Sequence, residues 1–152
     1  MQILNREFII LDIDATTAEE AVKELGILLV ENNLSNKEYV FSLLDTYRMD
    51  INPFVLSHMV AIAQTDAYED VHDDALVLVR LKHTVDFGKL SNQPVRLLFG
   101  ITATNSDTHL KMHNMVVELI NNDTAFSALL NEKTPDSLFE VLQYHLNKRN
   151  HN

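Results

Sequence analysis

Histidine is the side chain to weigh first, because its ring nitrogens can serve as nucleophile, proton carrier or metal ligand near neutral pH. The chain has seven, at positions 58, 72, 83, 109, 113, 145 and 151. His109 and His113 are one helical turn apart, so a helix puts both rings on one face, as metal pairs need. No acidic residue follows them until Glu118. His72 lies among Asp66, Glu69, Asp70, Asp73 and Asp74, but the spacing lacks the glycine and closing glutamate of a calcium loop. A solvated acidic loop is the expectation there. His83 falls in a polar connection between two apolar strands, His145 on a terminal helix and His151 in the tail.

A second pattern is "FVLSHMVAIAQTD", residues 54 to 66, which runs from His58 through an apolar stretch to Gln64. A strand that ends in a polar side chain delivers that side chain to a cleft. His109 has a comparable setting: it falls in the first turn of a helix, where unpaired backbone donors and the helix dipole favour an anion.

The elements that must position these groups follow from periodicity and caps. "FIILDI" (8 to 13) reads as an edge strand or extended entry. Thr16 and Thr17 stand three residues ahead of Glu19 and Glu20, two overlapping capping boxes. Ala18, Ala21, Val22, Leu25, Leu28 and Leu29 then recur at helical spacing, which predicts a helix over 17 to 32. Ser35 with Glu38 is expected to cap a second helix ending near Arg48. Residues 50 to 57 read as irregular, with Asn52-Pro53 as a turn. Residues 59 to 63, 75 to 81 and 94 to 103 read as buried strands that helices cover on both faces. Ser106 or Asp107 is expected to cap a helix to about Asn121, a short helix spans Thr124 to Leu130, and Thr134-Pro135 opens a last helix to about Asn147.

Bulk properties narrow the classes. The 152 residues fit one domain, and the 46% apolar and 22% charged content is that of an ordinary globular protein. A formal charge of -10 argues against a nucleic-acid partner; Lys148 and Arg149 form a basic tail, not a patch. The absence of cysteine excludes disulfides and thiolate chemistry. The apolar runs are too short to span a membrane, and "MQILNREF" lacks the layout of a secretory signal, so a cytoplasmic location is expected.

Taken in order, Arg48, "VAIAQ" (60 to 64), "PVRLLFGITATNSDTHL" (94 to 110) and "TPDSLFEVL" (134 to 142) resemble the mannitol/fructose-type (type 2) enzyme IIA domain of the bacterial sugar phosphotransferase system. The likeness covers nearly the whole chain and is most specific from 94 to 142. In that family a strand ending Ala-Ile/Val-Pro-His carries the phosphorylated histidine, and an "HL" pair opens a later helix. Laying "VAIAQ" on that strand needs no gap from Arg48 and puts Gln64 at the phosphohistidine position. Ala63 then stands for the proline, Met49 for a glutamate after the arginine, and Phe54 near a threonine. Arg48 and His109 are retained.

The resemblance implies an α/β fold, a central mixed β-sheet flanked by helices on both faces, with residues 1–152 as a single domain. It places Arg48, Gln64 and His109 at the site and leaves His58 as the other histidine of that strand. No cofactor or metal is called for. The partners it implies are an HPr-like phosphocarrier, a sugar-specific enzyme IIB or a transcriptional regulator, with no nucleic acid and no insertion into a membrane.

A glutamine amide donates and accepts hydrogen bonds but does not attack phosphorus. The leading expectation is therefore an enzyme IIA-like component whose phosphoryl transfer is lost or strongly reduced and which acts by docking or regulation. Two alternatives stay open: an active phosphocarrier using His58 or His109, and a metal-binding or structural module built on His109 and His113 or the acidic loop. His58 precedes Gln64 by six residues, roughly 20 Å at about 3.3 Å per residue of strand, which sets it apart from that pocket.

Overall fold

The computed structural model describes residues 3–49 and 54–150, with the backbone alone at 149 and 150, and it is organised around two nearly unbroken apolar strands. Counting strands along the chain, these are β4 (Ala75–Asp86) and β5 (Pro94–Thr102), paired antiparallel from Ala75 opposite Thr102 to Asp86 opposite Pro94. β1 (Ile9–Ile13) adds to β4 in parallel, and β3 (Met59–Ala63) adds to β5 in parallel. A three-residue strand, β2 (Val55–Ser57), closes the other edge as a hairpin with β3. The sheet order is β1-β4-β5-β3-β2.

Successive strand residues point to opposite faces, and both faces are apolar, so both need cover. On one face α1 (Ala18–Glu31) and α2 (Lys37–Met49) pack Val22, Leu25, Leu29 and Leu43 against Ala61, Val77, Val79 and Leu98. On the other, α3 (Ser106–Asn121), α4 (Asp123–Asn131) and α5 (Pro135–Asn150) pack Met112, Val116, Leu129 and Leu142 against Ile62, Leu76, Leu97 and Phe99. Each such buried aliphatic side chain contributes about 1.5–3 kcal/mol of transfer free energy. This is the expected α/β architecture with helices on both faces of a mixed sheet.

Several local expectations shift by a residue or more. The cap of α2 is Asn36, whose side chain accepts from the Tyr39 amide at 3.0 Å, not Ser35. Ser35 is buried and held in a bridge to Val71, so its backbone is committed elsewhere. The cap of α3 is Asn105, which accepts from the Thr108 amide at 2.9 Å, so Ser106 and Asp107 are already helical. At α1, Thr17 caps Glu20, while the Glu20 carboxylate reaches back to the Thr16 amide at 2.8 Å and leaves Glu19 outside the box.

His83 lies within β4 on its exposed stretch, not in a connection, because β4 runs five residues beyond the apolar pattern that marks it. Val55–Ser57 is strand where irregular chain is expected. Its turn holds His58, and Met59 takes a left-handed φ of 68° without any glycine to signal a hairpin. The Asn52-Pro53 turn and His151 lie outside the described residues. Among the described residues no helix is long and apolar enough to cross a membrane.

Candidate functional site

Because β3 and β5 are parallel neighbours, their C-terminal ends open on the same edge of the sheet, where α/β proteins commonly hold ligands. Ala63 ends β3 opposite Gly100, and Gln64 follows at once. β5 ends at Thr102, Asn105 caps α3, and His109 makes the first main-chain helical bond, its amide donating to the Asn105 carbonyl at 3.1 Å. Antiparallel β4 starts at this same edge, so the acidic segment ahead of it is delivered there too. That segment forms a single 3-10 turn over Tyr68–Asp70.

Four side chains meet at this edge. The Gln64 Oε1 lies 2.6 Å from His109 Nε2, and the Gln64 Nε2 lies 3.5 Å from His113 Nδ1. On the far side of the His109 ring, the Tyr68 hydroxyl lies 3.0 Å from Nδ1. The Tyr68 and His109 rings meet edge to face, 5.8 Å between centroids at 89°. Burial pushes the His109 imidazole below its ordinary value, and the neighbouring His113 pushes it the same way against an opposing pull from Asp66. The neutral ring is favoured.

A second tie, Thr46 Oγ1 donating to Thr65 Oγ1 at 3.1 Å, brings the last turns of α2 against the residue after Gln64. Arg48 belongs to that same end of α2, but its guanidinium is engaged by Glu19 at the opening of α1, Nε to Oε1 at 2.7 Å. That bond holds the Glu19 carboxyl below, and the Arg48 guanidinium above, their ordinary values. Met49 stands exposed, while Phe54 is half-buried with its ring 6.3 Å from that of Tyr47.

Of the residues singled out in sequence, the structure thus brings Gln64 and His109 into direct contact and leaves Arg48 paired with Glu19. His58 sits exposed in the β2–β3 turn, at the opposite end of β3 from Gln64. It is outside the cluster. His72 hydrogen-bonds the Asn33 side chain at 3.0 Å, and His145 lines an open hollow of about 660 Å³ with Met115, Glu118 and Lys148. Among the described residues no three His, Asp or Glu side chains converge to hold a metal ion. His109 and His113 do share one helix face, but the group between them is the Gln64 carboxamide.

Tyr68 and the use of His113 are what sequence reasoning missed. The faint signal for Tyr68 was an aromatic residue standing alone in an acidic loop. For His113 it was the four-residue spacing itself, which is as good for gripping an amide as for gripping a cation.

Chemically, this cluster offers a carboxamide flanked by two imidazoles and a phenol. It can orient hydrogen bonds toward a docked group, whereas residue 64 itself cannot form a covalent phosphoramidate.

Three comparisons bear on this arrangement. The family model for the phosphoenolpyruvate-dependent sugar phosphotransferase system, EIIA 2, matches residues 2–145. The chain is 27% identical over 141 residues to the PTS system mannitol-specific EIICBA component of Escherichia coli (strain K12), a match covering 91% of this chain and 22% of that longer protein. It is 28% identical over 134 residues to the ascorbate-specific PTS system EIIA component of Shigella boydii serotype 4, covering 87% of this chain and 86% of the relative. Among solved structures it is similar to the complex of enzyme IIAMTL and phosphorylated enzyme IIBMTL from Escherichia coli. There the TM-score is 0.82 at 27% identity, with 92% of this chain and 96% of that one covered.

Proposed function

The chain belongs to the EIIA 2 family of the phosphoenolpyruvate-dependent sugar phosphotransferase system, and from that membership we propose that it is a single EIIA-like domain whose own phosphoryl relay is lost or strongly reduced. It works by docking on a sugar-specific enzyme IIB, an HPr-like phosphocarrier or a regulator. A relative of similar fold is described in complex with phosphorylated enzyme IIB, which supports enzyme IIB as the first partner to try. The observation that carries the reading is the placement of Gln64. It follows the strand that lies beside β5, its oxygen is against His109 Nε2 at 2.6 Å, and its side chain has no nitrogen that can attack phosphorus.

Phosphoryl transfer is mostly positioning and charge stabilisation around a competent nucleophile. Without the nucleophile, the positioning groups can still receive a partner's surface. The deciding experiment incubates the chain with phosphoenolpyruvate, enzyme I and HPr and follows intact mass. The native chain is expected to gain no phosphoryl group, while Gln64→His gains one. Stoichiometric labelling of the native chain on a peptide containing His58, His109 or His113 overturns the reading and makes the protein an active carrier through that ring.

A further inference from the structure

The hydrogen-bond roles around His109 follow from which atoms can carry protons. With the carboxamide oxygen of Gln64 facing it at 2.6 Å, the Nε2 of His109 must donate, because a carbonyl oxygen only accepts. A neutral imidazole has a single N–H, so Nδ1 is then an acceptor, and the group beside it at 3.0 Å is the Tyr68 hydroxyl. The amide end of Gln64 donates in turn toward His113 Nδ1. One direction of donation runs from Tyr68 through His109 and Gln64 to His113.

From this geometry we propose that Tyr68 is a positioning residue. By donating to Nδ1 it holds His109 in the Nε2–H form, so that the ring presents a fixed donor to whatever group occupies the tip of residue 64. The edge-to-face contact, 5.8 Å and 89°, adds a steric reason for the ring to keep that orientation. Tyr68 is itself well held. The Asn36 amide donates to the Asp70 carbonyl at 3.1 Å, the Asn36 side chain donates to the Asp70 carboxylate at 2.9 Å, and the Ser35–Val71 bridge pins the next residue. The loop carrying the phenol is therefore braced against the α1–α2 connection.

The opposite arrangement is equally specific. Were the Gln64 carboxamide rotated end for end, its NH2 would face His109, Nε2 would accept, and Nδ1–H would donate to the Tyr68 oxygen. The two arrangements differ in which ring nitrogen is protonated, and nitrogen-15 spectra of the imidazole side chains read that directly.

The test uses the full chain at neutral pH. In the native protein His109 is expected in the Nε2–H form alone; an Nδ1–H ring overturns the proposal without any variant. In Tyr68→Phe, with backbone amide shifts away from the site unchanged, His109 is expected to populate both tautomers. An unchanged tautomer there also overturns it, since a merely structural tyrosine moves the melting temperature and leaves the ring protonation as it was. The proposal rests on the reading that this edge is the functional site, and a second arm separates the two. Tyr68→Phe added to Gln64→His is expected to slow labelling by HPr roughly tenfold, about what one neutral hydrogen bond is worth; equal rates deny Tyr68 the positioning role. If the native chain is itself labelled on His58, His109 or His113 while its tautomer and the shift in Tyr68→Phe are as stated, the functional reading fails and the tautomer assignment stands.

Discussion

Gln64 Oε1 and His109 Nε2 lie 2.6 Å apart across 45 residues of sequence, and this bond joins the end of β3 to the first turns of α3. It exists because two parallel strands end at the same edge and the helix after one of them turns back over that edge. Protonating the neutral ring adds a proton at Nδ1, where it accepts from the Tyr68 hydroxyl, and places a charge in a half-buried site beside His113, so the cluster is sensitive to pH.

Stability should therefore depend on pH in a stated direction. Burial and His113 lower the His109 value below the 6.5 ordinary to the side chain, so in the window below 6.5 the unfolded chain binds this proton and the folded one does not. There the unfolded state holds more protons, stability rises with pH, and it is lost as pH falls from 6.5 toward the lowered folded value, levelling off below it. Urea midpoints for the native chain and His109→Asn, taken at about pH 7.5 and about pH 5.5, check this. The variant is expected to lose less stability between the two pH values; an equal loss would assign the effect to other groups.

Arg48 offers a separation of stability from docking. Its pair with Glu19 lies on the surface, half in water, and such pairs add little to folding. Arg48→Ala is expected to leave the urea midpoint where it is and to weaken binding to an enzyme IIB roughly threefold or more, as loss of a rim charge does. Unchanged binding by titration calorimetry would remove Arg48 from the docking surface.

On β4, beside the edge strand β1, Arg80 is buried at 4% side-chain exposure and is satisfied by both carboxylate oxygens of Asp12 and by the Leu129 carbonyl at 3.1 Å. Asp12→Ala strands part of that guanidinium and is expected to cost about 1.5 kcal/mol, the low end for a charged hydrogen-bond partner because Asp12 is half in solvent. Asp12→Asn should cost less, since it keeps an acceptor and tolerates the left-handed φ of 60° at this position. Denaturant melts giving the reverse order would show that the carboxylate is not what holds Arg80.

Gly100 sits at the middle of the sheet, opposite Ala63 on one side and Val77 on the other. A Cβ there would come within 2.7 Å of Val77 Cγ2 and 2.8 Å of Leu25 Cδ2. Gly100→Val is expected to push α1 off β5 and cost about 1–3 kcal/mol by overpacking. A melt unchanged from the native protein would mean that Leu25 repacks without strain.

How far the sequence carries depends on the range of the interaction. Apolar periodicity and caps act over a few residues, so α1 behind Thr17, α5 behind Thr134 and the three buried strands are legible from the chain alone. The caps of α2 and α3 are off by one or two because Ser35 is taken by Val71, thirty-odd residues away, and asparagine at 36 and 105 competes for the same role. Residue order also marks Gln64 and His109, since one ends an apolar strand and the other opens a helix.

Their contact, and everything added to it, is a matter of tertiary structure. Tyr68 reaches His109 across 41 residues and Gln64 reaches His113 across 49, while Arg48 is drawn to Glu19, 29 residues back. Those pairings depend on the parallel register of β3 and β5 and on the loop braced before β4. No local pattern encodes them, because each is settled by the packing of elements that the chain brings together only after they have formed. The chemistry available at position 64, a carboxamide rather than an imidazole, was written in the chain; what that carboxamide touches was decided by the sheet.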